Sequence, residues 1–328
     1  MSTYTQIFGQ QVLVVTADPS NPTVGQMWYN STSKTLKFFG TTTAGAWASG
    51  GNLATARRGL GNGPNGTQTS ALGFGGMNGN ATAATEEYDG TSWTGGGNLA
   101  TARQSLGSAG TQTVALGFGG FVPPGSPQTL TEEYDGTSWT SGGSLSTGRF
   151  LIAGAGTQTS ALAFGGDAPP GNQTEEYDGT SWTSGGNLGT ARQGMGSAGT
   201  QTSALGFGGG GPGPAGPTAA TEEYDGTSWT SGGSLNTTRR YLAGAGTQTS
   251  ALGFGGGVFP PSTAATEAYN GTSWSNETSM ATARWQPGGT GTQTSALAFG
   301  GNPSTGVVAV TEEFTGAGAP VTKTVTAT

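Results

Sequence analysis

The sequence contains no cysteine and no histidine among its 328 residues. Without cysteine, the chain has neither a disulfide framework nor a thiolate nucleophile. Without histidine, it lacks the most common general base and the most common metal ligand of proteins. These two absences narrow the chemistry that its side chains can perform, and we expect neither a metal ion nor a cofactor.

Charged residues are also scarce, at 9%, and the formal net charge is −7 at pH 7. Nucleic-acid binding requires a basic face, so we expect no nucleic-acid partner. No apolar run approaches the roughly 18 residues that a membrane-spanning helix needs. The first residues, MSTYTQIFGQ, lack the basic region and the apolar core of a secretory signal. We therefore expect no membrane insertion.

Glycine, by contrast, is abundant: 65 glycines recur at fixed positions between Trp, Tyr, Phe and Leu. The string GTQT begins six times, at intervals of 44, 46, 43, 47 and 45 residues. The stretch between the following double glycine and the next Thr-Glu has 8, 10, 7, 11 and 9 residues in the first five copies. Removing that stretch from each interval leaves 36 residues every time. One loop per repeat therefore varies in length, and the remainder is fixed.

Each repeat has room for four short strands separated by glycine-rich turns, which predicts an up-and-down four-stranded sheet. Repeats of this size that stack radially form the blades of a β-propeller. An Asp-Gly pair, or Asn270-Gly271 in the fifth copy, lies between the Tyr strand and the Trp strand. Such pairs favour a type I′ hairpin turn, in which both central residues have positive φ. Because Asn replaces Asp in one copy, we interpret the Asp as a turn residue and not as a metal ligand.

The double glycine after an apolar strand, followed by a Tyr and then a Trp, resembles the kelch repeat. The first copy carries this pattern at Gly75-Gly76, Tyr88 and Trp93. The resemblance covers residues 47 to about 314 and implies a propeller fold. It says little about activity, because one fold hosts many functions. WD40, the other candidate at this period, is disfavoured because its Gly-His and Trp-Asp pairs are missing.

The number of blades follows from counting the strands. GTQT and the Glu-Glu or Glu-Ala aromatic strand each occur six times, but Gly-Thr-Ser-Trp occurs only five times. We therefore expect the strand of Trp47 to complete the last blade, which begins at Arg284, and to remove two exposed sheet edges. The predicted fold class is all-β: a six-bladed β-propeller of four-stranded blades (45–316) with a small N-terminal β segment (1–44) and a strand-like tail (317–328).

One arginine and one glutamate recur in every repeat, and the glutamate shares a strand face with the aromatic residue two positions later. We expect each Arg and Glu to form a buried ion pair, because buried charges persist only when they are paired and hydrogen-bonded. The alternative is a ring of carboxylates for acid–base chemistry or for a cation. The arginines are Arg57, Arg103, Arg149, Arg192, Arg239 and Arg284, and the glutamates are Glu86, Glu132, Glu175, Glu222, Glu267 and Glu312.

Enzymatic alternatives meet specific obstacles. Kelch-type copper oxidases need His, Tyr and Cys, two of which are absent. Sialidase propellers carry an Asp-x-Gly box and an arginine triad, whereas here Asp and Gly are adjacent and the arginines follow the repeat. A two-carboxylate glycosidase stays open, although only Asp18, Asp167 and Glu277 lie outside the repeated acidic positions. We expect no enzymatic activity.

The loop of variable length joins the second and third strands of each predicted blade. It leaves the sheet at the same end as the links between blades, so one face would carry all the length variation. Functional residues tend to lie on such loops; neutral variation of tolerant loops is the alternative. The candidate binding residues are Phe121, Val122, Pro123, Pro124, Pro169, Pro170, Val258, Phe259, Pro260 and Pro261.

Residues 1–44 do not repeat; 11–17 predict a strand and 25–40 predict a hairpin. The segment NPTVGQMWYNSTSKTLKFF resembles hairpin modules of phage virion proteins, and the GTSWTSGGNLATAR arrays resemble those of phage structural proteins. The resemblance implies a non-enzymatic virion component (fibre, tail or head decoration) that is assembled in the host cytoplasm and later exposed outside the cell. Residues 1–44 would then bind other virion proteins.

Under this hypothesis, a propeller face binds a host-surface glycan or receptor, or a neighbouring subunit, and a homo-oligomer is left open. The alternatives are a carbohydrate-active enzyme and a lectin-like glycan-binding propeller. The C-terminal PVTKTVTAT alternates Val with Thr. It predicts a strand that is added beside residues 11–17 or pairs with a partner chain.

Overall fold

The computed structural model describes residues 3–7, 10–41, 44–211, 216–258, 261–317 and 320–325. Every regular element in these ranges is a β-strand, and no helix that could cross a membrane occurs in them. The chain divides into two compact units. Unit 1 comprises Met1–Ala46 with Thr315–Thr328, and unit 2 comprises Trp47–Phe314.

Unit 1 contains a five-stranded sheet in the order β1-β2-β3-β4-β31. Its strands are β1 (Thr3–Ile7), β2 (Gln10–Val15), β3 (Met27–Asn30), β4 (Thr35–Thr41) and β31 (Pro320–Val325). The predicted hairpin is present as β3 and β4, and β2 pairs with β3 in parallel. The C-terminal strand pairs with β4 and not beside residues 11–17. The physical reason is that β2 already has a neighbour on each side, whereas β4 offers a free edge.

Unit 2 contains six four-stranded antiparallel sheets. The first strands are β6 (Gly61–Asn62), β12 (Gly107–Gly110), β16 (Ala153–Thr157), β20 (Gly196–Thr200), β24 (Ala243–Thr247) and β28 (Gly288–Gly291). The second strands are β7 (Ala71–Phe74), β13 (Ala115–Phe118), β17 (Ser160–Phe164), β21 (Ser203–Phe207), β25 (Ser250–Phe254) and β29 (Ser295–Phe299).

The remaining strands complete these sheets. The third strands are β10 (Thr85–Tyr88), β14 (Thr131–Tyr134), β18 (Thr174–Tyr177), β22 (Thr221–Tyr224), β26 (Thr266–Tyr269) and β30 (Thr311–Thr315). The fourth strands are β11 (Trp93–Gly95), β15 (Trp139–Ser141), β19 (Trp182–Ser184), β23 (Trp229–Gly232), β27 (Trp274–Glu277) and, for the last sheet, β5 (Ala46–Ser49). A short hairpin, β8 (Met77–Asn78) with β9 (Asn80–Ala81), lies in the first variable loop. Unit 2 is thus a β-propeller-like fold of repeated four-stranded blades.

The same two kinds of side-chain hydrogen bond join neighbouring sheets. Gln112 of a GTQT turn donates from Nε2 to the carbonyl oxygens of Ala71 and Tyr88 in the preceding sheet, at 3.1 and 2.7 Å. Trp139 donates from Nε1 to the Thr85 hydroxyl of that sheet, at 3.0 Å. Equivalent bonds recur around unit 2, so each sheet is attached to its neighbour through side chains of the repeat.

These bonds also connect the last sheet to the first. Gln68 donates from Nε2 to the carbonyl oxygen of Phe314 at 2.7 Å, and Trp93 donates to the Thr311 hydroxyl at 3.0 Å. Trp47, on β5, donates to the Thr266 hydroxyl at 3.1 Å, and its ring lies 5.3 Å from that of Phe254. The β5 strand therefore contributes to the last sheet the same Trp contact that the fourth strand contributes in the other sheets.

The first strands are rich in glycine because a phenylalanine ring occupies the space that a side chain would need. A Cβ on Gly107 would lie 2.2 Å from the ring of Phe118, and one on Gly196 would lie 2.4 Å from the ring of Phe207. Both rings are fully buried. The repeated Gly and Phe positions therefore form part of the core between sheets. Burying a large apolar side chain contributes roughly 1.5–3 kcal/mol to the stability of the fold.

The Asp-Gly turns differ from the prediction. Tyr88 pairs directly with Trp93, so the loop has four residues. Of the Asp-Gly pair, only Gly90 has positive φ, at 92°. The Asp89 carboxylate accepts hydrogen bonds from the backbone N–H groups of Thr91 and Ser92, at 2.8 and 2.7 Å. The type I′ prediction is wrong because the carboxylate caps a longer turn, which removes the need for a second residue with positive φ.

Candidate functional site

The six repeated arginines and glutamates lie together as buried ion pairs. The N–O distances run from 2.6 Å for Arg57–Glu86 to 3.0 Å for Arg284–Glu312. In the first repeat, Arg57 Nη1 also donates to the carbonyl oxygens of Gly75 and Ala84, and Glu86 Oε2 accepts from the Ala54 N–H. Burial lowers the pKa of each of the six arginines, and the partner glutamate opposes this shift. These groups are engaged in the scaffold and are not available to a ligand.

The second glutamate of the repeat binds a tyrosine of the next sheet. Tyr134 donates from its hydroxyl to Glu87 at 2.6 Å. Tyr88 makes the corresponding bond to Glu313 of the last sheet, also at 2.6 Å. Burial, reinforced by the glutamate, raises the pKa of Tyr88 to about 12. These carboxylates are likewise part of the scaffold.

We call each contact between neighbouring sheets a join. The join between the fifth and sixth sheets lacks this tyrosine–glutamate hydrogen bond, because both residues that would form it are replaced. Ala268 stands where the glutamate would be, and Phe314 stands where the tyrosine would be. Both residues belong to one buried apolar cluster, against which Trp47 packs. Removing the acceptor alone would leave a buried hydroxyl without its partner, which is costly. Ala268 and Phe314 therefore together replace the glutamate–tyrosine pair of the other joins.

The candidate loop residues lie at the end of the sheets where the second and third strands connect; we call this the loop end. Phe121 and Val122 are half-buried, Pro123, Pro124, Pro169, Pro170 and Pro261 are exposed, and Val258 is 46% exposed. Phe259 and Pro260 lie outside the described residues. The ring of Phe121 lies 5.3 Å from that of Phe150. We call the segments that connect one sheet to the next the links. Among the loop candidates, Phe121 thus contacts a link through Phe150.

A closed ring of backbone hydrogen bonds, which we call the axial ring, lies in those links. Each member is the second residue after a paired arginine, and its N–H donates to the carbonyl oxygen of the member before it, at 2.7–3.1 Å. The bond from Gly59 to Gln286 closes the ring. In order, the members are Gly59, Ser105, Leu151, Gly194, Tyr241 and Gln286.

All six members of the axial ring have positive φ, between 52° and 62°. Glycine adopts this conformation readily, whereas other residues lose roughly 1–2 kcal/mol in it. Four members are nevertheless Ser, Leu, Tyr and Gln. Strained backbone of this kind clusters at functional sites, which makes the side chains on the axial ring candidates for function.

The residue that precedes each ring member also differs from repeat to repeat. These six residues are Arg58, Gln104, Phe150, Gln193, Arg240 and Trp285. Five of them exchange two backbone hydrogen bonds with the first residue of a variable loop, as Gln104 does with Phe121 at 3.1 and 2.8 Å, and Phe150 accepts one from Asp167 at 2.8 Å. Together with the side chains of the axial ring, these residues form what we call the axial rim. The axial rim is thus a part of the constant 36 residues in which the repeats of unit 2 differ from one another.

Arginines and aromatic rings gather in one sector of the axial rim. The Arg58 guanidinium lies 4.4 Å from the centre of the Trp285 ring, and its Nη1 donates to Gln286 Oε1 at 3.0 Å. The Tyr241 ring lies 5.8 Å from that of Trp285. The Arg240 guanidinium lies 5.0 Å from the centre of the Tyr241 ring. Trp285 is buried, while Arg58, Arg240 and Tyr241 are half-buried.

The axial ring opens into a cavity of about 100 Å³ that residues of all six first strands line. Its far part is formed by small and polar residues such as Asn62, Ser108 and Ser197. None of the described residues that line it is acidic. Among the described residues, no three His, Cys, Asp or Glu side chains are grouped so that they could hold a metal ion. The cavity therefore offers hydrogen-bonding and apolar groups, and none of its described lining residues carries a carboxylate.

Sequence reasoning missed the axial rim because it followed loop length. The rim lies inside the 36 residues of fixed length, directly after the repeated arginine. The sequence nevertheless shows where the rim lies, because the two residues after that arginine change from repeat to repeat. They read RG, QS, FL, QG, RY and WQ. A comparison of the repeats position by position would have found it.

Comparisons with known proteins bear on the fold. The solved structure of YjhT is similar to this chain, with a TM-score of 0.66 and 13% sequence identity over 80% of this chain and 96% of that one. At this identity, the similarity establishes the β-propeller-like fold alone. No protein-family model matches the chain, and no curated protein matches it.

Proposed function

We propose that this protein is a non-enzymatic recognition scaffold of a phage virion, whose loop end binds a host surface or a neighbouring subunit. The observation that carries the proposal is the axial rim. In the axial ring, four different side chains (Ser105, Leu151, Tyr241 and Gln286) occupy positions of positive φ that glycine would fill at no conformational cost. A purely structural rim would have no use for this asymmetry.

We further propose that the six four-stranded sheets are the six blades of one propeller of kelch-like type, and that the sheet of unit 1 is a separate element. Two observations support this count. The first strand β28 contacts β6 as well as β24, and the axial ring joins six successive links without a gap. The Gly-Gly, Tyr and Trp positions of the repeat support the kelch-like assignment.

The state of the carboxylates supports a role without catalysis. General acid–base catalysis needs a proton-transfer group within reach of substrate. The first glutamates are bound to arginines, and five second glutamates are bound to tyrosines. The aspartates of the repeats cap turns. A carbohydrate-active enzyme would need two free carboxylates in one cleft, and the axial cavity presents none among its described residues.

The virion context is supported by the resemblance of residues in β3 and β4 to phage hairpin modules. Unit 1 has two edge strands, β1 and β31, and unpaired edges are sites at which strands of other chains add. On this proposal, unit 1 binds other virion proteins or a further copy of the chain, and the loop end of unit 2 binds the host surface or a neighbouring subunit.

Purified particles provide the test. Mass spectrometry should detect the chain in particles, and an excess of the soluble protein should block adsorption of the particles to host cells. The variant Arg58→Gln/Tyr241→Gly should fold and fail to block. A matched variant at the opposite end of the sheets, Thr69→Ala/Thr113→Ala, changes two exposed turn residues and should block fully. Absence of the chain from particles would contradict the virion role, and equal blocking by both variants would contradict the role of the axial rim.

A further inference from the structure

Two arginines of this chain stand apart from the other six. Arg58 and Arg240 follow directly after paired arginines, and neither has a carboxylate within ion-pair distance in the described part of the chain. A guanidinium has five N–H donors. Arg58 uses one of them on Gln286, and Arg240 stacks on Tyr241. In a chain with a net charge of −7, two uncompensated cations in one sector are a local positive site.

The aromatic rings hold these cations in place. Trp285 lies beneath Arg58, and Tyr241 lies between Trp285 and Arg240. Cation–π contact and partial burial orient a guanidinium before a ligand arrives, which lowers the entropy lost on binding. The planar fork of arginine matches a carboxylate through two parallel hydrogen bonds. The sector is therefore suited to a carboxylate ligand.

We propose that Arg58 and Arg240, held by Trp285 and Tyr241, bind carboxylates of an acidic saccharide. This assignment deepens the proposed function and rests on it. The axial rim also carries the amides of Gln104 and Gln286 and the hydroxyls of Ser105 and Tyr241; Gln286 accepts from Arg58 through Oε1 and donates to the Ser105 hydroxyl through Nε2 at 3.5 Å. Amides and hydroxyls donate and accept hydrogen bonds, as sugar hydroxyls do.

An acidic peptide fits the same rim less well. Peptides that bind along a protein surface in extended form pair with free backbone groups at a strand edge. All six ring members use their N–H groups in the axial ring. Arg58, Gln104, Gln193, Arg240 and Trp285 use theirs on the variable loops. The axial rim thus recognises a ligand through side chains, which favours a saccharide.

Calorimetric titration of the full chain with trigalacturonate and with hyaluronan hexasaccharide tests the proposal, with the methyl ester of each as its neutral counterpart. At least one acid should bind, and its ester should bind at least tenfold more weakly. Arg58→Gln and Arg240→Gln should each weaken binding by about 10- to 100-fold. Arg58→Lys, which keeps the charge and loses the fork, should weaken it less than Arg58→Gln does.

The controls separate specific recognition from charge and from misfolding. Lys34→Gln removes the same charge from an exposed residue of unit 1 and should leave binding unchanged. Thr69→Ala, which changes an exposed turn residue at the opposite end of the sheets, should also leave it unchanged. Unaltered melting temperatures of the arginine variants would show that they fold. The proposal is overturned if neither acid binds, if an ester binds as well as its acid, if Lys34→Gln weakens binding equally, or if an acidic peptide binds and both acids do not.

The same variants distinguish this proposal from the proposed function. If neither acid binds while the soluble chain still blocks particle adsorption through the axial rim, the carboxylate site is wrong and the recognition role stands. If an acid binds through the arginines while the rim variants block adsorption as the unaltered chain does, the recognition role is wrong and the carboxylate site stands.

Discussion

The two ends of the sheets in unit 2 are joined in different ways. At the end that carries the GTQT turns, the bonds that recur between all neighbouring sheets come from side chains, namely Gln112 and its equivalents. At the loop end, the axial ring is made by backbone N–H and carbonyl groups. A side chain that makes a joining bond must be repeated in every sheet, whereas a backbone bond can be made by any residue. The difference explains why the sequence is uniform at one end and diverse at the other.

The largest expected effect comes from comparing two adjacent arginines, of which Arg57 belongs to the repeated ion pairs and Arg58 to the axial rim. Arg57→Met should lower the free energy of unfolding by about 3–5 kcal/mol, because it leaves the buried Glu86 without its partner. Arg58→Met, one residue later on the axial rim, should lower it by less than about 1 kcal/mol. Urea denaturation measures both. Similar losses for the two variants would remove the distinction between scaffold and rim.

A smaller effect is expected at the join where the polar pair is missing. Phe314→Tyr alone should destabilise the protein by about 1–3 kcal/mol, because the new hydroxyl has no acceptor. Phe314→Tyr/Ala268→Glu should recover most of that loss by restoring the bond of the other five joins. A double-mutant cycle measures the coupling. Additive effects of the two substitutions would contradict the interpretation of Ala268 and Phe314 as one unit.

At one position of the axial ring, a substitution is expected to preserve or raise the free energy of unfolding and not to lower it. Leu151→Gly should leave the free energy of unfolding unchanged or raise it by up to about 1 kcal/mol, since glycine relieves the strain of positive φ. Gly194→Ala, at an equivalent position with φ of 60°, should lower it by about 1–2 kcal/mol. Thermal and urea unfolding report both values. A clear loss of stability in Leu151→Gly would show that the side chain serves the fold and not recognition.

The smallest effect is expected at the turns, where Asn270 already accepts the same two backbone hydrogen bonds as the aspartates do. Replacing Asp89, Asp135, Asp178 and Asp225 by Asn should change stability at pH 7 less than any substitution above. Hydrogen bonds from backbone N–H groups lower the pKa of each aspartate below 3.8.

The direction of the pH effect follows from that shift. Because the pKa is lower in the folded chain, the carboxylates stabilise it above about pH 3.8, and this contribution is lost as the pH falls through the lowered value. The Asn variant should therefore lose less stability than the unaltered chain between pH 5 and pH 2.5 in urea titrations. An equal loss would show that the turn carboxylates do not stabilise the fold.

Much of this architecture was predictable from repetition. The constant 36 residues located the four strands, and the alternation of side chains along TEEY placed Glu86 and its equivalents toward the interior, where they meet the arginines. The turn around Asp89 was predicted wrongly, because Asp-Gly suits both a two-residue turn and a longer capped one. The partner of the C-terminal strand was also missed, since alternation of Val and Thr specifies a strand and not its neighbour.

The axial rim could not be predicted from loop length, because it depends on a backbone ring that only the folded chain assembles. The strain at Leu151 and Tyr241 is a property of φ and has no sequence pattern of its own. Variation in residue type after the paired arginine was visible, but its position around one axis was not.

We propose that the side chains of the axial rim are not required for folding and that they bind the partner. This proposal is tested most directly by a chain in which the other five pairs of rim residues are replaced by Gln-Gly, the pair already present at Gln193-Gly194. The measurement is thermal unfolding together with the block of particle adsorption. The account predicts one cooperative transition at the same or a higher temperature and complete loss of the block. A chain that no longer folds, or one that still blocks adsorption fully, would contradict it.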